Sequence, residues 1–141
     1  MLKKETCFGV IPLREHNNEW QVFLVHHKKG DYWGFPKGHW DENESPHQVA
    51  KRELKEETGL DLGDWWPLPP MQETYQFQRD GISIEKTVTY FPALVHGHVT
   101  IQAVEINEGK WVSLNDAFHL LTFEGLKQQC LEFFPKLRKK E

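Results

Sequence analysis

The sequence predicts an α/β (α+β) fold in which a mixed β-sheet is sandwiched between α-helices. Three observations lead to this prediction. Apolar, β-rich runs bounded by turn residues occur in both halves of the chain. One segment between them has the start and stop signals of a helix, and two amphipathic segments close the chain. The resulting order of strands, helix, strands and helices is typical of helices packed on a sheet. A length of 141 residues suits one domain over residues 1–141 with one hydrophobic core.

The first predicted element is a β-hairpin. The runs "TCFGVIPL" (6–13) and "WQVFLVHH" (20–27) are rich in β-branched and aromatic residues, and Asn17 and Asn18 between them favour a turn. The segment "KKGDYWGFPKG" (28–38) follows and is interpreted as a structured loop because it combines glycine, proline and aromatic residues.

The next element is a helix with clear boundaries. Ser45 is a good N-cap, Pro46 suits the first helical position, and Gln48 completes a Ser-x-x-Gln capping box. Gly59 stands where a left-handed residue usually ends a helix.

The second half begins with a break and a hairpin. Three prolines in "DWWPLPP" (64–70) exclude a helix interior or a central strand there. The runs "MQETYQFQ" (71–78) and "SIEKTVTYFPALV" (83–95) flank "RDG", which predicts a second hairpin.

A strand and two helices are expected to complete the chain. The segment "GKWVSL" (109–114) is typical of a short strand. Asn115 is a candidate cap for "DAFHLL", and Thr122 is a candidate cap for the amphipathic "FEGLKQQCLEFF".

Composition limits the classes of partner. A net charge of -4 argues against a stable nucleic-acid partner and against a broad basic face for a membrane. No window approaches the roughly 20 apolar residues of a membrane helix, and the N-terminus lacks the features of a signal peptide. Cys7 and Cys130 lack zinc-site spacing and are expected to be reduced thiols. We therefore expect a cytoplasmic protein, with a monomer favoured.

The predicted helix concentrates negative charge on one side. Glu53, Glu56 and Glu57 fall within roughly a third of its circumference because they are three and four residues apart. Like charges at this spacing repel, and the helix dipole disfavours anions in the C-terminal half. Two interpretations are open: a solvated surface neutralised by neighbouring lysine and arginine residues, or a site for a hard divalent cation such as Mg²⁺ or Mn²⁺.

The residues around the glutamates favour the second interpretation. The stretch from Gly38 to Leu60 matches G-x(5)-E-x(7)-R-E-U-x-E-E-x-G-U, where U is a bulky aliphatic residue, at all nine fixed positions. This stretch, residues 38–60, resembles the Nudix box, and the chain is therefore similar to the Nudix hydrolases. The resemblance implies the Nudix fold, metal dependence and hydrolysis of a nucleoside diphosphate linked to another group.

The resemblance also implies roles for the residues of the box. Glu53, Glu56 and Glu57 would hold the metal, expected to be more than one Mg²⁺ or Mn²⁺ ion, and one of them would orient or deprotonate a water molecule. A pair between Arg52 and Glu44 would be mainly structural. Gly38 and Gly59 would allow close backbone approaches.

Three segments outside the box resemble the asymmetrical diadenosine tetraphosphate hydrolases. In "DYWGFPKGHW", Lys37 would contact phosphate and His39 would contact phosphate or assist the leaving group. In "EKTVTYFPALV", Lys86 would contact phosphate and Tyr90 would stack on adenine, with packing in the core as the alternative for Tyr90.

The third segment supplies one more carboxylate and one more aromatic residue. Glu105 precedes Trp111 by six residues, as the family's fourth metal-site carboxylate does, and Phe123 would close on the base. Ile106 departs from the family's Glu-His pattern, and Glu108 is a competitor in the same loop.

Together these segments imply a substrate class. The expected reaction is cleavage of diadenosine tetraphosphate to ATP and AMP, with the small-molecule dinucleoside polyphosphate as the partner. The alternatives are an RNA 5′-pyrophosphohydrolase, a nucleoside triphosphate pyrophosphohydrolase, and a nucleotide-sensing module that binds without cleaving. The intact glutamates argue against the sensing module.

Overall fold

A computed structural model describes residues 2–138, with the side chains of residues 2–137. Within that range, eight strands form one mixed sheet and three helices pack on it. The elements are β1 (Leu2–His16), β2 (Glu19–His27), β3 (Tyr32–Gly34), β4 (Lys37–His39), α1 (Pro46–Thr58), β5 (Asp61–Trp65), β6 (Met71–Arg79), β7 (Ile82–His96), β8 (Ile106–Ser113), α2 (Leu114–Leu120) and α3 (Glu124–Arg138).

Two long strands organise the sheet. β1 and β7 run parallel, and their pairing begins at Leu2 opposite Ser83 and ends at Leu13 opposite Leu94. The main path is β3-β2-β1-β7-β5, while β4 pairs with β1, β6 with β7 and β8 with β2. β1 and β7 are each long enough to pair with two shorter strands along the same edge. One end of the sheet therefore has β4, β1, β7 and β6 side by side.

Alternation along the strands divides the apolar interior into two layers. On β1, Ile11 and Leu13 pack on the side covered by α2 and α3, while Val10 packs on the side covered by α1. The predicted sandwich is confirmed. The single core expected from the length is instead two buried clusters, because the sheet lies between them.

The predicted start and end of α1 are confirmed. The Ser45 hydroxyl accepts from the Gln48 N–H, and the Gln48 side chain accepts from the Ser45 N–H, so the capping box is complete. Gly59 ends the helix with φ of 79°, in the left-handed region.

The caps of the other two helices differ from prediction. α2 begins two residues earlier than expected, and its N-cap is Ser113 rather than Asn115, because the Ser113 hydroxyl accepts from the Asp116 N–H. α3 begins at Glu124, and the Thr122 hydroxyl accepts from the Trp33 N–H instead of capping a helix.

The predicted loop 28–38 and the break at 64–70 contain more strand than expected. Short strands β3 and β4 form because the aromatic loop pairs with β2 and β1, and β5 reaches Trp65 before the prolines begin. No helix within the described part of the chain is long and apolar enough to cross a membrane.

Candidate active site

One cavity of about 820 Å³ gathers most of the residues singled out in the sequence. It opens on the face of the sheet that carries Cys7, at the end where β4, β1, β7 and β6 lie side by side. The sequence-predicted residues that line it are Lys37, Gly38, His39, Glu53, Glu56, Glu57, Lys86, Glu105 and Phe123.

The α1 carboxylates form one wall of this cavity. Glu57 is only 3% exposed, and its carboxylate accepts a hydrogen bond of 3.1 Å from the Lys37 backbone N–H. Burial raises the pKa of Glu57 to about 8, and the neighbouring Glu53 carboxylate also raises it, while the Lys37 hydrogen bond opposes the shift. Burial, followed by Glu56, raises the pKa of Glu53 as well. The wall therefore holds carboxylates whose charges are neither well solvated nor well separated.

Arg52 links the carboxylates to the preceding loop. Its guanidinium donates two short hydrogen bonds to Glu44, at 2.8 and 2.9 Å, and a further one of 2.9 Å to Glu53. Longer contacts of 3.4 Å reach Glu56. The hydrogen bonds with Glu44 are the main reason that the pKa of Arg52 is raised.

The two glycines of the motif occupy different kinds of position. A Cβ on Gly38 would lie 2.0 Å from the Glu53 Cδ, so the carboxylate fills the space that a side chain would need. Gly59 combines its positive φ with a close approach, because a Cβ there would meet the Thr100 backbone nitrogen at 2.7 Å.

The loop before β8 brings Glu105 to the cavity near the α1 carboxylates, since its charge contributes to the raised pKa of Glu53 and of Glu57. The Glu105 N–H donates to the Gln102 side chain at 2.7 Å, and its carbonyl accepts from the Lys28 N–H at 2.9 Å. Its side chain lines the cavity, whereas Glu108 lies on β8 opposite His26 and outside the cavity lining.

The chemistry of this donor set fits a hard divalent cation. The four glutamates at the cavity offer oxygen ligands only, which Mg²⁺ and Mn²⁺ prefer, and a cation would relieve the repulsion between neighbouring carboxylates. Among residues 2–138, no three His, Cys, Asp or Glu side chains stand together as ligands of one ion. Arg52 contributes to the separation of these carboxylates, since it forms ion pairs with Glu53 and Glu56.

The predicted cations line another side of the cavity. Lys86 is 9% exposed, and its ammonium lies 3.9 Å from a Glu5 oxygen. Burial, followed by repulsion from Lys37, lowers the pKa of Lys86. His39 is largely exposed at the rim, with its Nε2 3.3 Å from the same Glu5 carboxylate.

The predicted stacking of an adenine on Tyr90 is wrong in this structure. Tyr90 is 0% exposed, its ring packs edge-on against Phe35 at 5.2 Å, and its hydroxyl donates to Glu73 at 3.1 Å. A ring enclosed on all sides has no free face for a base. The alternative that Tyr90 packs in the core is the one observed, and a sandwich of Tyr90 with Phe123 is not formed.

Other aromatic rings line the cavity. Phe123 contacts Tyr32 at 4.8 Å between ring centroids and Tyr75 at 6.0 Å, with the Tyr75 ring inclined by 27°. Phe77 lies beside Tyr75, also at 6.0 Å. All four rings line the cavity.

The sequence did contain a signal for part of this set. In "TYQFQR", Tyr75, Phe77 and Arg79 alternate with exposed glutamines, so a strand places all three on one face. Tyr32, Lys28 and Lys29 had no comparable signal, because their positions depend on how the loop folds against β2 and β8. Lining residues that the sequence reasoning missed include His27, Lys28, Lys29, Tyr32, Tyr75, Phe77, Arg79 and Gln102.

Comparison with known proteins agrees with the fold and the motif. A family model described as "NUDIX domain" matches residues 3–134. An asymmetrical bis(5′-nucleosyl)-tetraphosphatase of Rattus norvegicus is 29% identical over 133 residues, covering 88% of this chain and 89% of the relative. An RNA pyrophosphohydrolase of a Nitratiruptor species is 31% identical over 121 residues, covering 75% of this chain and 76% of the relative.

A solved structure extends the comparison to three dimensions. The binary complex of a C. elegans Ap4A hydrolase superimposes with a TM-score of 0.71 at 21% identity, over 96% of this chain and 98% of the other. Since the family model spans nearly the whole chain and contains the carboxylate helix, the chain belongs to the Nudix hydrolase family.

Proposed function

We propose that this Nudix hydrolase cleaves dinucleoside polyphosphates, and diadenosine tetraphosphate to ATP and AMP in particular. The observation that carries the proposal is the division of one cavity into a carboxylate wall, a basic side and a cluster of aromatic rings. A phosphate chain with a base at its end needs all three. The similarity to the rat tetraphosphatase over most of both chains supports the same choice.

In this proposal the four glutamates at the cavity hold Mg²⁺ or Mn²⁺, in more than one ion. Bound metal would neutralise the phosphate chain and lower the pKa of the attacking water. Glu57 is the most buried carboxylate of the four, so it is the one most dependent on such a counter-charge. Arg52 and Glu44 position Glu53 from behind, and Gly38 leaves room for its carboxylate.

The chain's own cations and rings bind the rest of the substrate. Lys37 and Lys86 carry ammonium groups into the cavity for phosphate oxygens. His39 at the rim contacts a phosphate or assists the leaving group. The base stacks on Phe123 together with Tyr75 and Tyr32, in place of the Tyr90 of the sequence-based prediction.

A second candidate is an RNA 5′-pyrophosphohydrolase. It is favoured by the relative from Nitratiruptor, which bears that description and covers three quarters of this chain. Removal of phosphate from a triphosphorylated 5′ end would use the same carboxylates and cations, and a terminal base would use the same rings. A nucleoside triphosphate pyrophosphohydrolase would use the same carboxylates and cations.

The cellular setting belongs to the same proposal. We infer a monomer with one domain over residues 1–141. Cys7 and Cys130 are free and buried, which suits the reducing conditions of the cytoplasm.

A turnover panel tests the proposal. Purified protein with Mg²⁺ is given diadenosine tetraphosphate, 5′-triphosphorylated RNA and single nucleoside triphosphates, and the products are separated by chromatography. We expect the highest kcat/KM for diadenosine tetraphosphate, with ATP and AMP as products. Glu57→Gln, which keeps the shape of the side chain, should abolish turnover of every substrate. A higher kcat/KM on RNA would replace the first candidate with the second.

A further inference from the structure

One carboxylate beside the basic side of the cavity has three basic neighbours. Glu5 accepts hydrogen bonds of 2.9 and 3.4 Å from the Arg79 guanidinium, and it lies 3.3 Å from His39 and 3.9 Å from Lys86. These residues come from β1, β6, β4 and β7, the four strands that meet at this end of the sheet. The Glu5 side chain is only 12% exposed. Glu5 is not among the residues that line the cavity in the described part of the chain, whereas Arg79, His39 and Lys86 all line it.

Arg79 also ends a row of cations that begins at the carboxylate wall. Lys37 stands next to the carboxylate wall, because its backbone N–H donates to Glu57. Lys86 lies close enough to both Lys37 and Arg79 that their charges repel its own. Arg79 is the last residue of β6. The guanidinium carbon of Arg79 and the ammonium of Lys86 lie 5.2 and 5.4 Å from the centre of the Phe77 ring. The basic side is therefore a row that leads from α1 towards the tip of the β6–β7 hairpin.

We propose that Arg79 binds an outer phosphate of the substrate's phosphate chain and that Glu5 is the positioning residue that aims it. This inference rests on the proposed function and deepens it. A guanidinium is suited to this task because it has five N–H donors in a rigid fork. The Nη1 and Nη2 groups of Arg79 each donate one hydrogen bond to Glu5, so other N–H donors remain for a phosphate. Glu5 holds that fork with a nearly buried carboxylate, so the arginine is oriented before the substrate arrives.

The position of Arg79 at the far end of the row predicts discrimination by chain length. A short phosphate chain held at the metal wall reaches Lys37 and Lys86, and a longer one reaches Arg79 as well. Removing Arg79 should therefore weaken the binding of long chains more than the binding of short ones. A merely structural arginine would affect both to the same degree.

The first experiment compares Arg79→Gln with the wild type on diadenosine tri-, tetra- and pentaphosphate. We expect KM to rise about tenfold for the tetra- and pentaphosphate, as for a lost charge-assisted hydrogen bond, with kcat little changed. The rise for the triphosphate should be several times smaller. Lys4→Gln is the matched control because it removes one positive charge from an exposed side chain that pairs with Glu85 instead of lining the cavity. Equal rises in KM for all three substrates, or a rise in Lys4→Gln of the same size, would overturn the inference.

The second experiment tests Glu5 through Arg79. Glu5→Gln alone should raise KM for the tetraphosphate. In an Arg79→Gln background the same change should raise KM by a clearly smaller factor than in the wild type, because the part of its effect that passes through Arg79 is already lost and only its contacts with Lys86 and His39 remain. Independent, additive effects would contradict that role for Glu5. Melting temperatures of all variants show whether a change in KM comes from loss of folded protein.

Binding of inorganic tetrapolyphosphate, which has the same number of phosphates as the tetraphosphate substrate, separates this inference from the proposed function. Calorimetry in EDTA excludes turnover, and we expect Arg79→Gln to weaken tetrapolyphosphate binding about tenfold relative to the wild type. A wild-type protein that cleaves none of the dinucleotides but shows this difference would refute the proposed function and keep the subsite. Equal affinities of the two proteins would refute the subsite, whatever the substrate.

Discussion

At the scale of single residues, the candidate site depends on a space that only glycine leaves open. Gly38 lies on β4 directly beside the end of the Glu53 side chain. The atoms that an added methyl group would meet are Cγ, Cδ and Oε2 of Glu53 at 2.0–2.4 Å, the flexible end of a side chain rather than backbone. A larger residue at this position would therefore displace the carboxylate before it disturbed the fold.

Gly38→Ala should lower kcat by more than tenfold while lowering the melting temperature by only a few degrees. The activity falls because Glu53 is moved, and a misplaced catalytic group commonly costs this much or more. Gly125→Ala is the control, since Gly125 lies in the first turn of α3 and nothing lies within 4 Å of a Cβ there. Steady-state kinetics and thermal unfolding of both variants decide the matter. A large loss of stability with normal kcat in the folded fraction would contradict the prediction.

The loop carboxylates give a second prediction at this scale. Glu105→Gln should reduce kcat/KM far more than Glu108→Gln, because Glu105 lines the cavity and Glu108 lies on β8 outside it. Both substitutions remove one charge and keep the shape of the side chain, so each controls for the other. Kinetics of the two variants at saturating Mg²⁺ make the comparison, and a greater loss for Glu108→Gln would mean that the wrong carboxylate has been assigned.

At the scale of elements, the sequence predicted those helices and strands that depend on interactions between residues close together along the chain. The limits of α1 were predictable because Ser45, Gln48 and Gly59 act on their own neighbours along the chain. β4 was not, since its three residues are extended only through pairing with β1, from Cys7 opposite His39 to Gly9 opposite Lys37. The cap of α2 was misjudged by two residues because Ser113 and Asn115 are both good caps, and only the end of β8 decides between them.

The capping box of α1 gives the prediction for this scale. Ser45→Ala should lower the free energy of unfolding by about 1 kcal/mol, as for other lost N-caps, and leave KM close to that of the wild type. Urea unfolding measures the first quantity and steady-state kinetics the second. Ser83→Ala is the matched control, because Ser83 contacts Gln78 near the exposed hairpin tip. If both variants lose the same stability, the cap contributes nothing of its own.

At the scale of the whole molecule, the cavity is made by residues far apart in the sequence. Lys86 stands opposite Glu5 in the parallel pairing of β1 and β7, and opposite Tyr75 in the antiparallel pairing of β6 and β7. The sequence could reveal the carboxylates of α1, which share one helix, but the role of Tyr90 required knowledge of what covers β7. α3 covers that part of the sheet, so Tyr90 is enclosed in the same apolar cluster as Leu126 and the ring of Tyr75 is left to the cavity.

A buried histidine makes the stability of the whole molecule depend on pH. His27 is 7% exposed, its Nε2 contacts the Phe35 carbonyl at 3.0 Å, and its ring stacks on Tyr32 at 4.6 Å. Burial, followed by the charge of Lys37, lowers the pKa of His27 to about 4. The unfolded chain, with a histidine pKa of about 6.5, therefore takes up this proton before the folded protein does.

Acidification should consequently destabilise the fold through His27. Its contribution is fully present above pH 6.5 and is lost as the pH falls towards 4, by about 2 kcal/mol between pH 7 and pH 5. Other groups oppose this trend, since the pKa of Glu57 is raised and its protonation favours the folded state in the same range.

The effect of His27 is therefore measured as a difference between two proteins. The free energy of unfolding in urea is determined at pH 7 and pH 5 for the wild type and for His27→Gln. The glutamine keeps an N–H donor for the Phe35 carbonyl but does not titrate. The wild type should lose about 2 kcal/mol more than the variant on going from pH 7 to pH 5. Titration of the His27 ring by NMR checks the cause directly, because a ring that gains its proton near pH 6.5 in the folded protein would remove any reason for that difference.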